Sequence, residues 1–261
     1  MENPKDYGFN SQLIHYSGHH DAYGSATVPI YQTSTFSFES AQDGADCFAG
    51  VKPGYMYTRI GNPTVKALER QVALLEHACD SVAVASGMAA VSTVYLGLLN
   101  AGDHVVSSSA VYGASRVLME QHMSRFGVES TYVNTADIEA VKAAMRPNTK
   151  MLYVETPANP TMEISDIAAC AEIAHRNGAL LVVDNTFCSP YLSNPIDLGA
   201  DVVLHSITKF INGHADIVGG IVAAKEPEVY AKLRNAMVNF GGNMDPHQAY
   251  LVIRGLKTLG I

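Results

Sequence analysis

The chain has 261 residues, of which 48% are hydrophobic and 16% charged, so it is long enough to bury a substantial core and is not typical of a disordered protein. Its formal net charge of -8 opposes binding to a phosphate backbone, and Lys and Arg are not concentrated anywhere in the sequence. We therefore exclude a nucleic-acid partner.

The sequence shows no sign of export or membrane insertion. Its first residues lack the basic flank and apolar run of a signal peptide, and no later stretch stays apolar for the ~18 residues of a membrane span. The four cysteines form no Cys-x-x-Cys pair, which indicates neither a disulfide framework nor a zinc ribbon. We expect a soluble cytoplasmic protein with no membrane partner.

Residues 1–60 show little periodicity, and we expect them to form an extended arm that a neighbouring subunit covers. From residue 64 helical spacing alternates with short apolar runs. Helices are predicted at 65–77, 88–99, 114–126, 137–145 and 166–177, and strands at 82–85, 104–107, 129–133, 151–154, 180–183 and 202–204. Residues 61–250 are therefore predicted to form an α/β domain with a mostly parallel sheet and with ligands at the carboxyl ends of the strands.

The last residues of the chain have helical apolar spacing, from 249 to 261, and no further structural unit follows them. We predict that 251–261 is the start of a truncated C-terminal segment and that a C-terminal domain is missing.

A possible anion site lies at the strand-to-helix turn Ser86-Gly87-Met88. Small residues let backbone N–H groups approach an anion there, and the N-terminus of the following helix adds partial positive charge. Taken alone, this pattern is more typical of an ordinary turn.

Asp184 ends the apolar run 180–183. A carboxylate at the end of a buried strand is costly unless a cation or a hydrogen-bond donor meets it. A protonated pyridine nitrogen would serve, because the carboxylate keeps such a ring electron-withdrawing. Capping of the following loop explains this residue equally well.

Lys209 follows the predicted strand 202–204 and is preceded by Ser206 and Thr208, whose hydroxyls could face one side and hold a phosphate. A lysine held near a buried strand end is desolvated and suits a nucleophilic amine that forms Schiff bases. A solvated surface lysine is the alternative. If the two strands are neighbours, Lys209 and Asp184 open onto one crevice, with the turn at Gly87 as its phosphate cup.

Six segments occur together in one order: 55–64 (YMYTRIGNPT), 86–88 (SGM), 112–113 (YG), 155–160 (ETPANP), 184–186 (DNT) and 205–213 (HSITKFING). They resemble the family of pyridoxal 5'-phosphate (PLP) dependent enzymes of Cys/Met metabolism, which includes cystathionine γ-lyase, cystathionine γ-synthase, methionine γ-lyase and O-acetylhomoserine sulfhydrylase. The resemblance runs from about residue 12 to residue 261. It implies the large domain of an aspartate aminotransferase-like, fold type I enzyme.

The resemblance also implies a role for each candidate residue at the cofactor ring. Lys209 would carry PLP as a Schiff base and shuttle protons, and Asp184 would pair with the pyridine nitrogen. Tyr112 would stack on the ring and take part in proton transfer to or from the substrate, and Asn159 would donate to the ring hydroxyl.

The same resemblance places four residues on the cofactor phosphate, namely Gly87, Met88, Ser206 and Thr208. Tyr57 and Arg59 would reach the phosphate of the neighbouring subunit, and an Arg can give a phosphate two parallel hydrogen bonds. An active dimer, usually paired into a homotetramer, is therefore expected.

The expected reaction is γ-elimination on a small sulfur amino acid such as cystathionine, homocysteine or methionine. A dedicated methionine γ-lyase is disfavoured, because Ala114 stands where those enzymes have Cys, and Met237-Val238 where they have Lys-Asp. γ-Replacement, as in cystathionine γ-synthase or O-acetylhomoserine sulfhydrylase, remains an alternative. So does a PLP-binding but inactive form, because the Arg that binds the substrate carboxylate in this family has no counterpart before residue 261.

Two other classes of protein are disfavoured. The ten histidines, which include His19, His20, His205 and His214, form no His-Glu-x-x-His or comparable metal-binding spacing. A nicotinamide-binding domain is opposed by the lack of a Gly-x-Gly-x-x-Gly sequence after the first strand. No metal site is predicted.

Overall fold

The computed structural model describes residues 7–15 and 21–261, so His19 and His20 lie outside the described residues. The strands are β1 (Asp80–Val84), β2 (His104–Ser108), β3 (Glu129–Val133), β4 (Thr149–Glu155), β5 (Leu180–Asp184), β6 (Val202–His205) and β7 (Gly220–Ala224). The helices are α1 (Phe9–His15), α2 (Ala41–Phe48), α3 (Pro63–Leu75), α4 (Gly87–Leu98), α5 (Gly113–Val117), α6 (Ile138–Ala144), α7 (Ile167–Arg176), α8 (Ser189–Leu192), α9 (Pro227–Phe240) and α10 (Pro246–Leu256).

These strands form one sheet in the order β1-β7-β6-β5-β4-β2-β3. β3, β2, β4, β5 and β6 run parallel, whereas β7 pairs antiparallel with both β6 and β1. The predicted α/β class with a mostly parallel sheet is therefore confirmed. β7 was not predicted, because its five residues GIVAA are all buried and carry no alternation of polar and apolar side chains.

The helices begin where the local sequence supplies caps. Asn62 accepts a hydrogen bond from the backbone N of Thr64 at 2.9 Å, and Pro63 occupies the first helical position, so α3 starts two residues before the predicted 65–77. The predicted helix 114–126 is irregular: α5 continues as a π-helical turn at Leu118–His122 and a 3-10 turn at Met123–Phe126.

Apolar side chains are buried on both faces of the sheet. Val182 of β5 packs in the cluster that contains α4 and α9, whereas its neighbour Val183 packs in the cluster that contains α7. α3 and α10 cover the sheet at β1 and β7 through Ala83 and Ile221. Because a fully buried Val or Ile contributes about 1.5–3 kcal/mol, these clusters hold the strand ends in fixed positions.

The last helix packs against α3 and buries Val252, Ile253 and Leu256. It begins at Pro246, so the predicted boundary between 61–250 and 251–261 falls inside a continuous helix. The predicted extended arm at 1–60 contains the helices α1 and α2, so it is not extended throughout. Its contact with a neighbouring subunit remains a prediction. Over the residues that the structure describes, no helix has the length and apolar character required to cross a membrane.

Candidate active site

A cleft of about 770 Å³ opens where β4, β5 and β6 end and α4 begins. β5 and β6 are neighbours in the sheet, and Asp184 lies opposite Leu204 in their register. Because β5 and β6 are neighbours, Asp184 and Lys209 line the same cleft. Eight of the ten predicted site residues line this cleft: Gly87, Met88, Tyr112, Asn159, Asp184, Ser206, Thr208 and Lys209.

Asp184 is the buried acid of the cleft, with 8% of its surface exposed. The backbone N of Thr186 donates to Asp184 Oδ1 at 3.1 Å, and the hydroxyl of Thr186 donates to the same oxygen at 2.5 Å. The loop-capping explanation therefore holds for Oδ1. Burial raises the pKa of Asp184, and the two bonds from Thr186 act in the opposite direction.

Lys209 does not sit at the strand end as expected. It lies in a turn after β6, where its backbone N donates to Ser206 O at 3.1 Å and its carbonyl accepts from Gly213 N at 2.8 Å. Its side chain is exposed rather than desolvated, because the turn carries it out of the sheet. Within the described residues its Nζ makes no hydrogen bond and no ion pair, so the cleft contains an amine without a protein partner.

The start of α4 and the turn after β6 approach each other closely. A Cβ added to Gly87 would lie 2.7 Å from Ser206 Cβ, so only glycine allows this contact. Ser86 Oγ accepts from Ala89 N at 3.0 Å, which leaves the earlier N–H groups of the helix without an intrahelical acceptor. Those groups, the helix dipole and nearby hydroxyls form a cup suited to an anion.

Thr208 is held at the rim of this cup by two hydrogen bonds with one residue. Gly219 N donates to Thr208 Oγ1 at 3.0 Å, and Thr208 Oγ1 donates to Gly219 O at 3.2 Å. The hydroxyl of Ser206 makes no hydrogen bond within the described part of the chain, so it remains free for a ligand.

Sequence reasoning did not single out Glu155, a buried acid that also lines the cleft. Its carboxylate accepts the backbone N–H of Tyr112 at 2.6 Å and that of Asn159 at 3.1 Å. Burial and the nearby Asp184 raise the pKa of Glu155 to about 7. The sequence could have indicated Glu155, because this acid ends a buried strand in the same way as Asp184 does.

Tyr112 and Asn159 lie on either side of this carboxylate at the mouth of the cleft. The Tyr112 side chain is 49% exposed, so its ring is free to cover a ligand. Asn159 is also exposed and lines the same cavity.

The two remaining predicted residues lie outside the cleft of their own chain. The guanidinium of Arg59 is 5.5 Å from the centre of the Tyr57 ring and donates to the carbonyl of Val238. Tyr57 is 41% exposed. The structure brings these two residues together but does not bring them to Lys209, and their contact with a neighbouring subunit remains a prediction.

The residues of the cleft fit the cofactor that the sequence resemblance implies. Lys209 offers an unpaired amine to an aldehyde, Asp184 offers a carboxylate oxygen to a ring nitrogen, and the cup at Gly87 offers donors to a phosphate. A metal does not fit in the same way, because the described residues include no group of three His, Cys, Asp or Glu side chains placed to hold one.

Comparison with known proteins agrees with this assignment. Residues 10–261 match the family model described as Cys/Met metabolism PLP-dependent enzyme. An L-methionine gamma-lyase of Porphyromonas gingivalis is 45% identical over 97% of this chain and 64% of its own length. An O-succinylhomoserine sulfhydrylase of Pseudomonas aeruginosa is 46% identical over 89% of this chain and 57% of its own length.

A crystal structure of cystathionine gamma-lyase from Lactobacillus plantarum, complexed with L-serine, superposes with a TM-score of 0.90 at 40% identity and covers 97% of this chain. That alignment spans 64% of the solved chain, so the present chain covers about two thirds of the length of the proteins it matches. The predicted fold type I and PLP cofactor are thereby confirmed. The chain belongs to the family of PLP-dependent enzymes of Cys/Met metabolism.

Proposed function

We propose that this chain is the PLP-binding part of an enzyme that catalyses γ-elimination on a sulfur amino acid such as cystathionine, homocysteine or methionine. The observation that supports it best is that Lys209 Nζ has no protein partner within the described residues, in the same cleft as the buried Asp184. The free amine lies in the turn after β6 and the buried acid at the end of the neighbouring strand β5, and together they suit the aldehyde and the ring nitrogen of one small cofactor.

PLP, when bound, supplies an electron-withdrawing ring that stabilises negative charge at the α-carbon of an amino acid. Asp184 would hold the nitrogen of that ring and balance its positive charge. The burial of Asp184 strengthens this contact, because the cleft leaves the carboxylate little water to compete with it.

Lys209 acts first as an anchor and then as a base. Its Nζ would hold the cofactor at its aldehyde, and it would also be the group that moves protons at the α- and β-carbons of the substrate. Tyr112, held by Glu155 through its backbone N–H, would cover the cofactor and take part in proton transfer at the substrate.

γ-Replacement is the alternative reaction, supported by the similarity to an O-succinylhomoserine sulfhydrylase, whereas the similarity to L-methionine gamma-lyases supports elimination. The two reactions differ in whether a thiol adds before the product leaves. A chain that binds PLP without turnover is the third possibility. We also propose a cytoplasmic homotetramer built from dimers in which Tyr57 and Arg59 reach the neighbouring phosphate.

The test of the cofactor site is the visible absorption spectrum of the purified chain, before and after borohydride, beside Lys209→Ala. We expect a band of bound PLP in the wild type, and after borohydride a Lys209-containing peptide heavier by one reduced PLP. The variant should show neither. A wild-type chain that stays colourless with added PLP would contradict the proposal.

The test of the reaction is product analysis with cystathionine, homocysteine and methionine, each with and without an added thiol. Release of an α-keto acid without the thiol supports elimination, and a new thioether formed only with the thiol supports replacement. A chain that binds PLP at Lys209 but forms neither product is the inactive form.

A further inference from the structure

Three polar side chains meet in the interior directly behind the cleft, and we call them the Glu76 cluster: Glu76, Asn185 and His205. Glu76 follows α3, Asn185 follows the last residue of β5, and His205 is the last residue of β6. All three are fully buried. The cluster thus joins one helix to the two strand ends that frame the cleft.

A single carboxylate oxygen, Glu76 Oε1, contacts both other side chains of the cluster. His205 Nε2 lies 2.6 Å from Glu76 Oε1, and Asn185 Nδ2 donates to the same oxygen at 3.3 Å. The backbone N of Asn185 also donates to Leu204 O at 3.0 Å. Glu76 therefore ties the end of β5 to the end of β6 from one side of the sheet.

Each strand residue of the cluster is next in sequence to a cleft residue. Asn185 follows Asp184, and His205 precedes Ser206, the first residue of the turn that carries Lys209. Successive side chains of extended backbone point to opposite sides, so the cluster lies behind the strand ends and the cleft in front of them.

The cleft side has its own connection between the same strand ends. The backbone N of Ser206 donates to Thr186 Oγ1 at 2.9 Å, and Thr186 Oγ1 in turn donates to Asp184 Oδ1. The two strand ends are therefore fastened on both sides, by Thr186 in front and by Glu76 behind.

The Glu76 cluster reduces the stability of the folded chain in two ways. A carboxylate at the C-terminal end of a helix opposes the helix dipole, as Glu76 does at the end of α3. Glu76 Oε2, Asn185 Oδ1 and His205 Nδ1 are buried without a hydrogen-bond partner among the described residues. Apolar side chains of similar volume would avoid both costs, so the polar cluster is better explained by what it does for the cleft.

We propose that Glu76 is a positioning residue of the cofactor site, which sets the separation of Asp184 from the turn at 206–209 by holding His205 and Asn185. It acts without touching the ligand. The inference rests on the proposed function in one respect, which is that PLP is the ligand of the cleft.

The experiment compares PLP binding in the wild type and in Glu76→Gln, which keeps the volume and one acceptor oxygen but loses the charge. The PLP-free chain is titrated with PLP while the visible absorption band is recorded. We expect the variant to bind PLP about tenfold more weakly, because a charge-assisted hydrogen bond is lost. We also expect its absorption maximum to shift, because Asp184 moves relative to the ring nitrogen.

A milder variant and a matched control complete the test. Asn185→Ala removes the longer of the two bonds to Glu76, together with the 2.9 Å bond from Asn185 Nδ2 to Ser193 O, and should change affinity and spectrum in the same direction, but less. Thr149→Val removes the buried 2.8 Å contact with His104 Nδ1 at the opposite ends of the strands. It should lower the melting temperature and leave PLP affinity and the absorption maximum unchanged.

The positioning role is wrong if Glu76→Gln and Asn185→Ala melt at lower temperature but bind PLP with wild-type affinity and spectrum, as Thr149→Val should. If Glu76→Gln does not fold, Asn185→Ala alone decides between these outcomes. A wild-type chain that takes up no PLP would overturn the proposed function and this inference with it, a result distinct from a defect confined to the variants.

Discussion

Glu155 and Asp184 lie directly opposite each other at the ends of β4 and β5, as register partners in parallel strands. Both carboxyl groups are buried at the same edge of the sheet, and they differ in what meets them. Glu155 accepts two backbone N–H groups from the loops that carry Tyr112 and Asn159, whereas Asp184 is bonded to Thr186. Two like charges in one cleft favour a proton on one of them.

The first prediction concerns pH. Because burial and Asp184 raise the pKa of Glu155 from the ordinary value of 4.5 to about 7, the folded chain binds this proton more tightly than the unfolded chain. Its contribution to stability is therefore full below pH ~4.5 and is lost as pH rises to about 7, by on the order of 3 kcal/mol. Glu155→Gln should remove this loss.

Urea unfolding of the wild type and of Glu155→Gln at pH 5 and pH 8 measures the effect. The stability difference between variant and wild type should shift in favour of the variant at the higher pH. Glu139→Gln is the control, since the Glu139 side chain is 80% exposed, and it should follow the wild type. Parallel pH profiles for wild type and Glu155→Gln would show that Glu155 does not titrate in this window.

The second prediction concerns Gly87. Gly87→Ala places a Cβ 2.7 Å from Ser206 Cβ, so the turn after β6 must move away from the start of α4. We expect a loss of about 1–3 kcal/mol in stability and PLP binding at least about tenfold weaker. Gly8→Ala is the control, because a Cβ there would have no atom within 4 Å. Equal PLP affinity in the two variants would contradict the anion cup.

Asp184 and Lys209 could be predicted to share a cleft because both follow apolar runs, and strand ends of a parallel sheet meet at one edge. The exposure of Lys209 could not be predicted from the sequence, because the turn that carries it is set by backbone hydrogen bonds with Ser206 and Gly213. β7 was missed because a strand buried on both faces has no polar alternation. The Glu76 cluster was missed because its members are distant in sequence and depend on how α3 packs.

The third prediction concerns Thr186, whose hydroxyl links Ser206 N to Asp184. Thr186→Val keeps the shape of the side chain but leaves a backbone N–H without its acceptor, which should cost about 1–3 kcal/mol of stability. PLP binding should weaken as well, because Asp184 loses a donor that fixes its orientation. Thr161→Val, at an exposed position, should change neither the unfolding free energy nor the PLP affinity. Equal behaviour of the two variants would show that Thr186 does not connect the strand ends.

The fourth prediction concerns Arg59, which lies outside the cleft of its own chain. If it serves the phosphate of a neighbouring subunit, Arg59→Ala and Lys209→Ala each impair PLP binding by the pure variant, but a mixed dimer contains one intact site. That site combines Lys209 of one chain with Arg59 of the other.

Refolding the two variants together in equal amounts should therefore restore tight PLP binding to about a quarter of all sites, since half of the dimers are mixed and each has one intact cleft. The measurement is covalent PLP incorporation by borohydride at a PLP concentration too low to fill the Arg59→Ala chain. Variants refolded separately and then combined at equal total concentration are the control. If Arg59 acts only within its own chain, co-refolding gives no more labelled sites than this control, because each mixed dimer would then hold one cleft without Arg59 and one without Lys209.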